Sequence, residues 1–203
     1  PGALVTVLMS VSNIVLNNYI GIYGADAVAS YGIAYKIDLI PIMLSVGLSQ
    51  GVMPLVGYCF GAKQTKRMSA VVRLSMLYGI ILGAVFLGVF LMGGKVFASF
   101  FLYEEGLIVQ TAYFLRILCL SAPLLGVINM ITSYFQALGK AVQSLMITIL
   151  RNIVIFIPCV ILFNQFLRLN GVIAAQPVTE AVLTVICLFM YGKFKAEQKV
   201  SAS

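Results

Sequence analysis

The chain has 203 residues, of which 62% are hydrophobic and 9% are charged, and its mean hydropathy is +1.07. A soluble domain of this length could not bury so much apolar surface, so the composition indicates a membrane protein with residues for roughly six helical crossings. A net charge of +7 would suggest nucleic-acid binding in a soluble protein. In a membrane protein it must instead be explained by the loops that carry the basic residues.

Six spans are predicted, at about residues 3–23, 26–61, 70–93, 106–138, 141–166 and 171–191. We expect residues 1–203 to form a single all-α, polytopic transmembrane unit. The chain starts at Pro1 without a methionine or a charged leader, and we expect it to be part of a longer protein. It has four cysteines in apolar runs and no histidine, so neither a metal site nor a bound cofactor is predicted.

The first span is rich in amides. Asn13 and Asn17 are four residues apart and therefore share one helix face. Polar side chains at membrane depth seek partners, so this face is expected to look into protein or into water. The alternatives are helix-to-helix hydrogen bonds and the lining of a cavity.

The second span would be about 50 Å long, too long for a straight crossing. Prolines 41 and 54 are the predicted kink points, as is Pro123 in the fourth span. Small residues at intervals of four favour close helix packing. They are Gly47, Gly51, Gly57 and Gly61 in the second span and Gly79 and Gly83 in the third.

Two opposite charges, Lys36 and Asp38, lie in the second span. Residues at i and i+2 point about 200° apart around a helix, so these two cannot pair with each other and serve different surfaces. Tyr31, Tyr35 and Asp38 share an aromatic and acidic stripe suited to an organic cation, whereas Lys36 and Gln50 belong to a second stripe. A structural ion pair with another span is the alternative role.

Counting along the helices places five ionisable residues near the membrane midplane: Lys36, Asp38, Arg116, Arg151 and Glu180. Isolated charges are costly at that depth, so we expect these residues to pair or to face a hydrated cavity. Their sum is +1, which leaves one cation without a partner among the five.

The basic residues concentrate on one side of the predicted topology. Lys63, Lys66 and Arg67 follow the second span, and further lysines follow the fourth span (Lys140) and the sixth (Lys193, Lys195 and Lys199). The opposite loops carry Asp26, Glu104 and Glu105, with only Lys95 and Arg168 as basic residues. The positive-inside rule therefore predicts that both ends of the chain are cytoplasmic. A patch for lipid headgroups at the basic loops agrees with the same topology.

Five stretches resemble one known family. YGADAVASYGIAYKI (residues 23–37) and QGVMPLVGYCFGAKQTKR (50–67) are similar to the second helix of the C-terminal lobe of multidrug and toxic compound extrusion (MATE) transporters. YFQALGKAVQSL (134–145), RNIVIFIPCVILF (151–163) and LNGVIAAQPVTEAV (169–182) are similar to the last three helices of that lobe.

The resemblance implies a twelve-helix transporter with two six-helix lobes, of which this chain would be one. It implies a cell inner-membrane antiporter that exports organic, cationic and lipophilic compounds by alternating access, in exchange for protons or sodium ions. The cavity residues that it implies by position are Asn13, Asn17, Tyr35, Lys36, Asp38, Gln50, Asn129 and Glu180. Some family members carry a cation-site carboxylate on the first and fourth helices of this lobe, where this chain has asparagines.

Two functions other than transport of organic cations are also compatible with these residues. A flippase for lipid-linked sugars in the same superfamily would favour a more cationic cavity, to which Lys36, Arg116 and Arg151 would contribute. A membrane scaffold that transports nothing is the other alternative hypothesis. An intramembrane enzyme is not expected, because the chain shows no HExxH, GxSxG or paired-aspartate motif and no histidine.

Overall fold

The computed structural model describes the backbone of residues 2–200 and the side chains of residues 7–196. Its helices are α1 (Gly2–Gly21), α2 (Ala25–Gly61), α3 (Thr65–Ser99), α4 (Glu105–Leu118), α5 (Ala122–Ala137), α6 (Ala141–Ile149) and α7 (Phe156–Val200). A 3-10 turn, Cys119–Ser121, joins α4 to α5, and a π-helical segment, Leu150–Ile155, joins α6 to α7. The predicted all-α architecture is confirmed.

The longest helix, α7, is broken at Arg168, where φ is 51° and ψ is −135°. A straight helix would leave Phe163 and Gly171 about 12 Å apart. Instead, a Cβ atom added at Gly171 would overlap the backbone carbonyl of Phe163. The chain therefore turns sharply at Arg168, between the predicted fifth and sixth spans.

Among the residues that the structure describes, four helical stretches are long and apolar enough to cross a membrane by length and composition: Ala25–Gly61, Thr65–Ser99, Glu105–Ala137 and Ala141–Ala196. The last has 56 residues. At 1.5 Å per residue it would be about 84 Å long if straight, far beyond the roughly 30 Å of a hydrocarbon core. The break at Arg168 divides this stretch into two segments of crossing length.

Both prolines of α2 lie inside a continuous helix that runs through Pro41 and Pro54. Pro123 instead occupies the first turn of α5, directly after the 3-10 turn. Proline is tolerated at that position because the first amides of a helix have no intrahelical acceptor. The fourth predicted span is thus interrupted just before its proline.

Helices α3 and α5 meet backbone to backbone. A Cβ atom added at Gly126 would lie 2.5 Å from the carbonyl carbon of Gly79, and one at Gly83 would overlap the carbonyl oxygen of Ala122. This confirms the packing face predicted from the spacing of Gly79 and Gly83.

The glycines of α2 lie in different surroundings. A Cβ atom at Gly57 would reach 3.6 Å from the Ala137 carbonyl oxygen. At Gly47, Gly51 and Gly61 no atom of the described residues lies within 4 Å of such a Cβ. Their role as packing positions stays a prediction, and this stretch of α2 leaves room for a neighbour outside the described chain.

The interior contains two apolar clusters with a polar layer between them. On α2 the first cluster ends at Ile37 and the second begins at Val56; on the last part of α7 the first ends at Ala175 and the second begins at Leu183. Between these positions lie the buried polar residues Asp38, Ser45, Ser49, Thr179 and Glu180. The layer places polar and charged groups at mid-depth in the helix bundle.

One end of the bundle carries a group of exposed basic residues. Lys140 places its Nζ atom 3.7 Å from the centroid of the Phe194 ring, which brings the turn between α5 and α6 next to the end of α7. Lys63, Lys66 and Arg67 are exposed in and just after the turn between α2 and α3, at this same end. Lys199 falls outside the described side chains. At the opposite end, the Tyr23 hydroxyl donates to Asn164 Oδ1 at 2.6 Å.

Candidate functional site

Two adjoining cavities, of about 240 Å³ and 260 Å³, lie beside the polar layer. Each cavity is lined by α1, α2, α5 and the π-helical segment, with α7 added in the first cavity and α6 in the second. The residues common to both linings are Met9, Val46, Asn129, Arg151 and Asn152. Together the cavities reach the size of small-molecule sites, about 300–1,000 Å³. Because the lining residues Asn13 and Met43 are exposed, the first cavity opens to the surface of the bundle.

The π-helical segment carries two of the shared lining residues, Arg151 and Asn152. The side-chain Nδ2 atom of Asn152 donates to the backbone carbonyl of Thr148 at 3.0 Å. The backbone carbonyl of Asn152 accepts a hydrogen bond from the Ser12 hydroxyl at 2.6 Å. A π-helical turn frees carbonyl groups from the regular helix pattern, and such turns are frequent at functional sites. Here the segment presents both side chains to the cavities and fastens α1 to the bundle.

Arg151 and Glu180 form the ion pair of the first cavity. The Nη2 and Nε atoms of Arg151 donate to the same oxygen, Oε1 of Glu180, at 2.6 Å and 2.9 Å. The Glu180 side chain is 4% exposed and that of Arg151 is 23% exposed. Oε2 of Glu180 is buried and accepts no hydrogen bond from the described residues. The pair is therefore neutral overall but leaves one carboxylate oxygen without a donor.

Two tyrosines form an aromatic wall of the same cavity. The rings of Tyr31 and Tyr35 stack with their centroids 6.0 Å apart and an interplanar angle of 18°. Tyr31 is buried, whereas Tyr35 is half-buried. Aromatic faces attract cations and pack against flat organic rings. With the Glu180 carboxylate on α7 lining the same space, this wall can hold a lipophilic cation.

Amide groups complete the lining on the side of α5. Asn129 donates from Nδ2 to the Ser45 hydroxyl at 3.1 Å, which fixes its side chain between α5 and α2. Gln136 donates from Nε2 to the Ser144 hydroxyl at 2.9 Å at the far end of the second cavity. These contacts hold the amides in place, so their carbonyl oxygens are available to a ligand.

The structure brings most of the predicted site residues to these cavities. Asn13, Tyr31, Tyr35, Asn129, Arg151 and Glu180 line the first, and Gln50 lines the second. Asn17, Lys36 and Arg116 are exposed and line neither cavity, and Asp38 is fully enclosed. Arg116 also has no contact with the Arg151–Glu180 pair in the described salt bridges.

Several lining residues were not predicted as site residues, namely Ser12, Asn152, Gln176 and Thr179. Ser12 directly precedes Asn13 in the sequence, and Asn152 directly follows Arg151. Gln176 is four residues before Glu180 and so lies on the same helix face. Reading each predicted residue together with its helix-face neighbours would have found Gln176.

Comparison with known proteins identifies the family to which the chain belongs. A family model described as MatE matches residues 1–162. The chain belongs to the MatE family, that of the MATE transporters. Curated relatives include the multidrug export protein MepA of Staphylococcus haemolyticus, 30% identical over 94% of this chain and 42% of the relative, and MepA of Staphylococcus aureus strain MRSA252, 27% identical over the same shares. This MATE chain thus spans less than half the length of the relatives it matches.

Solved MATE structures have the same fold. A MATE crystal structure in a bent conformation superposes with a TM-score of 0.92 at 21% identity, over 100% of this chain and 46% of that one. A Pyrococcus furiosus transporter of the MOP superfamily, described as having a binding pocket whose reverse polarity suggests a different function, superposes with a TM-score of 0.88 at 20% identity, over 96% of this chain and 44% of that one. A shared fold does not determine the ligand, so the ligand class has to be argued from this chain's own cavity residues.

Proposed function

We propose that this chain is one lobe of a cation-coupled antiporter, which exports organic cations by alternating access in exchange for protons or sodium ions. The other lobe of the same protein would complete the transport pathway. The observation that carries the proposal is the first cavity. In it an aromatic wall, fixed amides and the carboxylate of Glu180 face one space that opens to the surface of the lobe.

Alternating access requires a lobe that keeps its own fold while it moves against its partner. The chain superposes with a TM-score of 0.91 on a MATE structure described as outward-facing and of 0.92 on one described as inward-facing, at 19% identity and over 98% of this chain in both cases. The same lobe fold therefore occurs in both states. This supports movement of the lobe as a rigid body.

The orientation that we propose follows from charge. The exposed lysines and arginines that follow α2 gather at the end of the bundle where Lys140 meets Phe194. Under the positive-inside rule this end would face the cytoplasm, with the transporter in the cell inner membrane. Of the residues that the structure describes, the opposite end carries Asp26, Glu104 and Glu105 and only two basic residues, Lys95 and Arg168.

A lipid flippase is the second candidate, because the cation Arg151 lines both cavities. An anionic headgroup would need that guanidinium to be free. Two of its nitrogen atoms already donate to Glu180, and Lys36 and Arg116 line neither cavity. The cavity thus lacks the excess positive charge that a phosphate group requires, so the antiporter is the better-supported function.

The proposal predicts gradient-driven efflux. The complete transporter, expressed in a strain that lacks efflux pumps, should lower the steady-state accumulation of ethidium when an inward proton or sodium gradient is present. Collapsing the coupling gradient should restore accumulation, because an antiporter has no other energy source. Fluorescence of cells loaded with dye under separate proton and sodium gradients measures both effects.

The variant Asn13→Trp, whose added side chain should fill the cavity, serves as the control for expression and membrane leak. If well-expressed protein leaves dye accumulation unchanged under both gradients, the antiporter function is wrong. Movement of a fluorescent phospholipid between leaflets in the absence of dye export would favour the flippase instead.

A further inference from the structure

Asp38 is an ionisable side chain in the polar layer that belongs to neither cavity. It is 0% exposed, and neither of its carboxylate oxygens accepts a hydrogen bond from any residue that the structure describes. The hydroxyl of Tyr31, seven residues earlier on the same face of α2, is also buried without a described partner. Buried polar groups are almost always satisfied, so an enclosed carboxyl with two unpartnered oxygens requires an explanation.

The charges of the residues around Asp38 do not balance when both carboxylates are ionised. The ionisable and charged groups that act on Asp38 or its neighbours lie on several elements: Tyr31 and Tyr35 of α2, Arg116 at the end of α4, Cys119 of the 3-10 turn, Arg151 of the π-helical segment and Glu180 of α7. With both carboxylates ionised, Arg151 supplies one positive charge against two negative ones. Lys36 and Arg116, which made the sequence sum positive, lie on the exposed surface. The interior therefore needs one more positive charge to be neutral.

We infer that Asp38 is a binding site for one small monovalent cation, a proton or a sodium ion, inside this lobe. The inference rests on the proposed antiport function and deepens it by locating the coupling ion. The enclosure of Asp38 excludes an organic cation, whereas a proton needs no space and sodium ions take oxygen ligands. Carboxylate and hydroxyl oxygens are what a hard cation prefers.

The same arrangement links the ion to the substrate. Asp38 and Glu180 repel each other electrostatically, so each affects the charge that the other can hold. The Tyr31 ring lines the cavity, while its hydroxyl is buried. A cationic substrate beside Glu180 supplies the missing positive charge and weakens the hold of Asp38 on its own cation. One cation enters the cavity and one leaves Asp38 for solution, and by reciprocity the ion weakens substrate binding equally.

The exchange can be measured at equilibrium, without a gradient. The purified complete transporter in detergent and weak buffer, mixed with tetraphenylphosphonium, should release about one proton per bound cation if the ion is H⁺, as read by a pH indicator. If the ion is Na⁺, sodium should raise the thermal midpoint relative to choline at equal ionic strength, and tetraphenylphosphonium should remove that shift. Asp38→Asn should abolish whichever signal the unaltered protein gives, while it still binds tetraphenylphosphonium.

Two matched variants control for general effects. Asp26→Asn removes a carboxyl from the start of α2 outside the polar layer, and Lys36→Gln removes the neighbouring exposed charge; both should keep the full signal. If Asp38→Asn does not fold, Asp38→Glu should retain the ion response with a shifted pH or sodium midpoint.

An unshifted midpoint in Asp38→Glu, a normal signal in Asp38→Asn, or the lack of either signal in the unaltered protein would overturn the assignment. Gradient-driven ethidium export by the unaltered transporter tests the antiport function separately. Export that persists while the Asp38 assignment fails would place the coupling ion elsewhere.

Discussion

Glu180→Ala is expected to be among the most destabilising single substitutions in this lobe. It leaves the guanidinium of Arg151 in the bundle without the carboxylate oxygen to which its Nε and Nη2 atoms donate. Removing one partner of a buried ion pair typically costs about 3–5 kcal/mol, because the remaining charge stays buried and unpaired. The Arg151 side chain is 23% exposed, so we expect the loss to fall at or below the lower end of that range. We expect a lower thermal midpoint of the complete transporter in detergent and a smaller yield of folded protein.

The double variant Arg151→Met with Glu180→Leu separates pairing from packing. With both charges removed and similar volumes kept, most of the lost stability should return, since a well-packed apolar pair is often as stable as the ion pair. Both Glu180→Ala and the double variant should bind ethidium more weakly than the unaltered protein, because the cavity has lost its carboxylate. A double variant that is less stable than Glu180→Ala would show that the pair is not what Glu180 contributes.

Gly83→Ala is the second substitution with a large expected effect. The added Cβ would overlap the carbonyl oxygen of Ala122 and lie 2.5 Å from the Cα of Pro123, both of which are backbone atoms that cannot rotate away. Overpacking usually costs about 1–3 kcal/mol and more where backbone must move. Helices α3 and α5 would have to separate, and the thermal midpoint should fall.

Gly88→Ala is the matched control on the same helix. No described atom lies within 4 Å of a Cβ added at Gly88, so that substitution meets open space. Alanine also has the higher helix propensity. We expect Gly88→Ala to unfold at or above the temperature of the unaltered protein. Equal loss of stability in both variants would contradict the tight α3–α5 contact.

Helical architecture was predictable from this sequence because apolar length and composition alone decide it. The separation of Lys36 from Asp38 was also predictable, since a spacing of two residues fixes their relative direction on a helix. The structure places Lys36 on the exposed surface and Asp38 in the interior. Local geometry along one helix therefore carried over into the fold.

Pairing between helices was not predictable in the same way. Depth along the membrane normal placed Arg116, Arg151 and Glu180 at one level, but it does not specify how each helix is rotated or which helices are neighbours. Arg151 faces Glu180, whereas Arg116 is exposed. The π-helical turn around Arg151 was also not predictable, because Leu150–Ile155 contains no proline or glycine that would indicate a departure from the regular helix.

The most direct test of the proposed substrate cavity compares two asparagines of α1. Asn13 lines the first cavity and Asn18 does not, and both are exposed on the isolated lobe. Asn13→Trp should fill the cavity and weaken tetraphenylphosphonium binding to the complete transporter by at least about tenfold, equivalent to about 1.4 kcal/mol, as measured by titration calorimetry. Asn18→Trp should bind as the unaltered protein does. Equal affinities in the two variants would contradict a substrate site in this cavity.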